Sequence, residues 1–148
     1  MKLKIKSIAV LIFALLLSAC STVEEFIIVN NSNAVLNVEY RYKSQNLFFS
    51  ELKKISADNL MNSDKKWREL SVDEYQIDEK TKTVKAIIAP HEALIIEKEV
   101  NYRGHDSEES NIEELTLSGI NGTLEFEGKQ AQTQFEKQEN GDYMIFYK

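Results

Sequence analysis

Short apolar runs, separated by polar and turn-forming residues, recur along most of this chain. In Leu36–Tyr42, apolar and polar residues alternate strictly, which is typical of a strand with one buried and one solvent-facing side. Residues 26–29 form a β-branched and aromatic run that ends at the polar residues 30–33. We expect these two segments to pair as a hairpin. The spacing of Tyr40 and Tyr42 favours a place in the core over a ligand surface.

Later segments have the same character, with turn signals such as Asn121-Gly122 and Asn140-Gly141 between them. They are residues 75–77, 83–89, 93–100, 112–118, 123–127, 133–136 and 142–147. Short strands at this spacing predict a mainly β fold, an antiparallel β-sandwich. It resembles immunoglobulin-like domains in architecture only, because the chain lacks their Cys–Trp–Cys pattern.

One stretch has a different period. Leu47, Phe48, Leu52 and Ile55 recur at helical spacing, and we predict one short helix over residues 46–55. Trp67, the single tryptophan, follows a polar loop, and we interpret it as an anchor in the core or at a corner of the fold.

The last predicted strand is apolar on both faces. Met144 and Phe146 lie opposite Tyr143, Ile145 and Tyr147, whereas a half-solvated strand should have one polar face. Either the predicted helix covers this second face, or Met144 and Phe146 form an exposed patch for a partner.

The N-terminus has the three parts of a secretory signal. Lys2, Lys4 and Lys6 precede an uninterrupted apolar run over residues 8–17, and small residues follow. The run is shorter than the roughly 20 residues that a spanning helix needs. We therefore expect residues 1–19 to be a cleaved signal peptide.

The residues Leu17-Ser18-Ala19-Cys20 closely resemble the lipobox of bacterial lipoproteins. The resemblance implies that the chain is cut between Ala19 and Cys20 and that the Cys20 thiol carries diacylglycerol. Two or more acyl chains anchor a protein stably. Ser21, in place of an aspartate, implies an outer-membrane address if the host is Gram-negative. Residues 20–25 would then be the lipidated cysteine with a short tether, and residues 26–148 a single domain.

Charge and cysteine content narrow the possible partners. Residues 1–19 hold three lysines and no acid, so the rest keeps 15 basic and 24 acidic side chains, a formal net charge of −9. Such a charge argues against a nucleic-acid partner and favours a basic protein partner. Cys20 is the only cysteine, so we expect no intramolecular disulfide.

The residues that could carry chemistry are few. His91 and His105 have no second histidine or cysteine at ligand spacing, so we expect neither a zinc site nor a cofactor. Asp106, Glu108 and Glu109 share one loop, but they lack the spacing of a calcium loop and suit a solvated acidic loop better.

Two functions remain in competition. The first is a lipid-anchored cell-envelope protein whose sandwich is a non-catalytic binding or scaffold module facing the periplasm or the cell surface. The alternative is an envelope hydrolase that acts on cell-wall or glycan substrates through an acidic pair, with the three loop acids as its best candidates. A small-ligand carrier with an apolar cleft is a weaker third possibility.

Overall fold

The described part of the chain forms eleven strands in two packed sheets. The computed structural model describes residues 22–43, 52–60, 65–101 and 110–148. Their elements are β1 (Thr22–Asn30), β2 (Leu36–Tyr42), β3 (Lys53–Ser56), a 3-10 turn (Ala57–Asn59), β4 (Arg68–Glu69), β5 (Tyr75–Asp78), β6 (Thr83–Ile88), β7 (Glu92–Asn101), β8 (Ile112–Gly119), β9 (Gly122–Glu127), the helix α1 (Lys129–Thr133), β10 (Glu136–Lys137) and β11 (Tyr143–Tyr147).

Sheet A has the strand order β10-β11-β1-β7-β3-β4, and sheet B has the order β5-β6-β2-β8-β9. The first and last strands of the described chain, β1 and β11, pair in parallel. Every other strand pair among the described residues is antiparallel. The prediction of a mainly β, antiparallel sandwich is therefore confirmed.

The main core lies between the two sheets. Leu36, Val38 and Tyr40 of β2 are at most 1% exposed, while the residues between them face outward. Alternate residues of β1, β7 and β11 meet them from sheet A. Phe26 stacks on Tyr143 with ring centroids 4.9 Å apart. The alternating pattern of the sequence thus fills one continuous apolar layer.

A second, smaller cluster covers the other face of sheet A. Met144 is fully buried there and Phe146 is half-buried. They pack with Leu60 and Trp67, which follow β3 in the chain, and with alternate residues of β1 and β7. The prediction that Met144 and Phe146 form an exposed patch for a partner is therefore wrong. It also supports Trp67 as an anchor, although Trp67 is half-buried and belongs to this second cluster.

The predicted hairpin between β1 and β2 is wrong, because the two strands lie in different sheets. Asn30, with no exposed surface, ends β1 and turns the chain across the sandwich. Its Nδ2 donates to the carbonyls of Ala34, Ile88 and Ala89 at 2.8, 3.2 and 3.1 Å. Its Oδ1 accepts from the Ser32 backbone N–H and hydroxyl. This side chain replaces the ladder bonds that a hairpin would have made.

Three predicted elements also differ in place. Residues 22–25 belong to β1, so they are not part of a tether. The end of the predicted helix at 46–55 is strand β3, while its residues 46–51 lie outside the described residues. The predicted strand at 133–136 is wrong over most of its length, because Thr133 ends α1 and the short strand β10 begins only at Glu136.

The sandwich has two distinct ends. At the end where β1 begins, which we call the near end, the Lys43 N–H bonds to Asn111 at 2.8 Å. At the opposite, far end, the His91 N–H bonds to Asn30 at 2.9 Å and the Asn31 N–H bonds to Tyr147 at 2.8 Å. The β8–β9 hairpin turn, at residues 120–121, also lies at the far end, because β8 runs in the direction opposite to β2.

Candidate functional site

The outer face of sheet B is a regular polar surface. It is built by alternation: where Leu36, Val38 and Tyr40 point inward, Asn37 and Glu39 point outward. The registers of β6 and β8 bring outward residues of those strands beside them. Glu39 is flanked by Lys85 on one side and Thr116 on the other.

A shallow groove of about 240 Å³ runs across this face toward β5. Asn37, Glu39, Asp73, Gln76, Lys85, Ile87, Thr116 and Ser118 contribute to its lining. Within it, Lys85 Nζ lies 3.0 Å from a Glu39 carboxylate oxygen. The groove offers amide, hydroxyl and charged groups around an exposed apolar side chain, Ile87. None of the lining residues is a histidine or cysteine.

Negative charge gathers on this face along β8 and β9. The two strands carry Glu113, Glu114, Glu125 and Glu127 and no lysine or arginine. Arg41 of β2 contacts Glu113 at 3.0 Å and makes a two-point contact with Glu114. The Arg41 guanidinium holds the pKa of the Glu114 carboxyl below its usual range.

A four-residue charge cluster ties the two sheets together at their far end. Lys54 of β3, only 1% exposed, places Nζ 3.0 Å from Glu74 and 3.7 Å from Glu92. Arg68 contacts the same two carboxylates at 2.7 and 3.0 Å. The Glu74 carboxylate also accepts hydrogen bonds from the Ser71 backbone and hydroxyl. Hydrogen bonding to Arg68 is the main cause that lowers the pKa of Glu74 far below its usual range. Each carboxylate has partners, so the cluster is a structural tie.

A second set of polar groups is buried in the main core. Glu97 is 2% exposed and accepts hydrogen bonds from the Ser110 hydroxyl at 2.6 Å and the Asn111 N–H at 3.0 Å. Tyr42 donates to the Ile96 carbonyl at 2.5 Å. The Tyr40 hydroxyl is buried without a hydrogen-bond partner among the described residues. Burial and the nearby Glu97 raise the pKa of both tyrosines.

Most of the site residues predicted from the sequence lie outside the described residues. Ala19 and Cys20 precede the described residues. The predicted loop residues His105, Asp106, Glu108 and Glu109 belong to the stretch 102–109, which is also outside them. His91 occupies the turn before β7 with a φ of 57°, and its Nε2 lies 3.1 Å from the Asn33 side-chain oxygen. The structure therefore makes His91 a turn residue hydrogen-bonded to the β1–β2 connection.

Lys54, Glu97 and the groove have only weak signals in the sequence. Lys54 stands beside Lys53 in a stretch whose apolar residues have helical spacing, a pattern that predicts two exposed lysines and no buried one. Glu97 was visible as a single acid directly after the apolar run 93–96. The groove could not be seen in advance, because it depends on the register of four strands.

The described residues contain no group of three or more metal-ligating side chains. Among them, no helix has both the length and the apolar character required to cross a membrane. Comparison with protein-family models, with curated proteins and with solved structures finds no match. Any function must therefore be argued from this chain alone.

Proposed function

We propose that this chain is a lipoprotein of the bacterial cell envelope, anchored by lipid on Cys20, with its sandwich serving as a non-catalytic binding or scaffold domain. The observation that carries the proposal is the position of the lipobox-like cysteine next to the fold. Residue 22 is already in β1, paired with Asn101 of β7. Ser21 alone separates the acceptor cysteine from this strand.

This spacing gives the proposal a definite geometry. Two residues span at most about 7 Å, so the near end of the sandwich would lie against the lipid headgroups. β1 has nine residues, which at roughly 3.3 Å each extend about 30 Å. The far end, with the β8–β9 hairpin turn, would be held at about that distance from the membrane.

The binding role is supported by the outer face of sheet B. Its strands run from the near end to the far end, so an anchored domain would present this face sideways and leave it accessible. Exposed carboxylates and the polar groove suit a partner that brings positive charge and hydrogen-bonding groups. We place the partner among basic proteins or protein segments of the envelope.

Fractionation with mass spectrometry of the N-terminal peptide tests the anchor. We expect acylated Cys20 in the membrane fraction, and in the outer membrane if the host is Gram-negative. Cys20→Ala should release the protein, while the matched control Ser21→Ala should leave it bound. Unmodified Cys20 in the soluble fraction would refute the proposal.

A second measurement tests the orientation. Acylation would block Cys20, so an introduced cysteine would be the single free thiol. A fluorophore at Lys80→Cys, in the near-end turn, should be quenched by spin-labelled lipid headgroups. The same fluorophore at Ile120→Cys, in the far-end hairpin, should not. Equal quenching at both sites would refute the upright arrangement.

A further inference from the structure

The edge of sheet B formed by β9 is unusually open. β9 has six residues, whereas the strands at the two edges of sheet A have two each and β5 has four. Among the described residues, no strand pairs with its other side. Natural edge strands are commonly protected by shortness, bulges, proline or charged side chains, lysine especially, and the charges of β9 are Glu125 and Glu127. β9 has an unbroken register with β8 and neither proline nor lysine.

The backbone of β9 presents free hydrogen-bonding groups on this edge. The Gly128 N–H donates to the Glu113 carbonyl at 2.7 Å. Since hydrogen-bonded pairs alternate along an antiparallel ladder, Leu124 and Phe126 also turn their N–H and C=O groups toward β8. The residues that turn these groups away from the sheet are Thr123, Glu125 and Glu127.

The side chains of β9 determine which strand could be added. Glu125 and Glu127 are exposed on the outer face, and Leu124 is 44% exposed on the inner face. Phe126, also on the inner face, is half-buried against the main core. An added strand would therefore meet negative charge on one face and apolar surface on the other.

We propose that β9 is a docking edge that takes an extended segment of a partner protein as a sixth strand of sheet B. In this segment, lysine or arginine alternates with apolar residues. The basic side chains lie opposite Glu125 and Glu127, and the apolar ones cover Leu124 and Phe126. A second copy of this chain is a poorer occupant, because pairing β9 with itself brings glutamates together on one face. The inference deepens the binding role proposed above and rests on it.

Amide hydrogen exchange with a synthetic probe tests the docking edge. The probe is the peptide Lys-Val-Lys-Val-Lys-Val, added to the purified full-length protein from whichever fraction contains it. We expect the amides of Thr123, Glu125 and Glu127 to exchange fast in the free protein and to become protected by the peptide. Those of Leu124 and Phe126 should be protected throughout.

Two chemically matched peptides separate strand addition from simple charge attraction. In an antiparallel complex the lysine amides point toward β9 and the valine amides point away. Methylating the lysine amide nitrogens should abolish binding, while methylating those of valine should leave it. Equal binding of the two methylated peptides would overturn the proposal.

Variants of the protein complete the test. Glu125→Lys with Glu127→Lys should weaken binding by about tenfold or more. Glu79→Lys with Glu139→Lys changes the net charge equally in two exposed turns and should have little effect. Glu125→Pro should block addition without disturbing the β8 ladder. A dimer with the β9 amides already protected, or no peptide binding at all, would overturn the proposal. Neither of these two results would change the attachment to the membrane through Cys20, so the docking edge and the proposed anchor can be refuted separately.

Discussion

Glu74 and Lys54 are in contact at 3.0 Å, yet replacing one should cost much more stability than replacing the other. Glu74→Gln leaves the cation of Lys54, which is 1% exposed, with Glu92 alone at 3.7 Å. Breaking a buried ion pair from one side costs about 3–5 kcal/mol. Because Glu92 remains, we expect the free energy of unfolding to fall by about 2–4 kcal/mol at pH 7.

Lys54→Met should be far milder. Glu74 keeps its contacts with Arg68 at 2.7 and 2.8 Å and with Ser71. Glu92 keeps Arg68 at 3.0 Å. Replacing a buried charge by an apolar side chain of similar length also removes a desolvation cost. We expect a change within about 1 kcal/mol of the wild type.

Urea unfolding measures both variants. With a slope of about 1–3 kcal/mol per molar urea, Glu74→Gln should lower the midpoint by about 0.7–4 M. The folded-state pKa of Glu74 is depressed, so its stabilisation is present above its unfolded pKa of about 4.3 and is lost as the pH falls below that value. The loss caused by Glu74→Gln should therefore shrink in acid. The reasoning fails if Lys54→Met destabilises more than Glu74→Gln at pH 7.

Three other perturbations test separate parts of the fold. Asn30→Ala removes a buried side chain that holds three carbonyls, and it should cost about 2–4 kcal/mol by urea unfolding; a loss under 1 kcal/mol would contradict this. At Gly119, an added Cβ would lie 2.7 Å from the Tyr147 ring, so Gly119→Ala should cost about 1–3 kcal/mol. In a Tyr147→Ala background the same substitution should add little to the cost of Tyr147→Ala alone, and an equal added cost in both backgrounds would refute steric contact. Burial raises the pKa values of Tyr40 and Tyr42, so the stability that their neutral forms contribute is present below pH 10 and is lost above it. An absorbance titration should show Tyr40 and Tyr42 ionising only as the protein unfolds. Ionisation of both in the folded protein would contradict this.

Local alternation was enough to predict most strands and the fold class. The β2 pattern identified both the strand and its buried face, because every second side chain had to enter the core. Alternation does not say which sheet a strand joins. The cross-over from β1 to β2 depends on hydrogen bonds from the Asn30 side chain to the carbonyls of Ile88 and Ala89. No local sequence pattern predicts these bonds.

The errors at other elements have similar causes. Lys54 occupies an inward position that its residue type argues against, and only its partners from distant segments make this burial possible. For the apolar second face of β11, the sequence left open both cover by the predicted helix and an exposed surface for a partner. The cover comes in part from Leu60 and Trp67, some eighty residues earlier in the chain, which no local pattern indicates. The sequence predicted a strand at β9. It could not show that one side of this strand is unpaired, because that depends on the order of the strands in the sheet.

The parallel pairing of β1 with β11 has a consequence for the order of events during synthesis. The first described strand receives one of its two neighbours from residues 143–147, so sheet A stays incomplete until these residues have left the ribosome. Contacts so distant in sequence also slow folding. A chain that has to cross a membrane before it folds would benefit from such a delay, because the segment carrying Cys20 could be translocated and modified while its sheet still lacked its final strand.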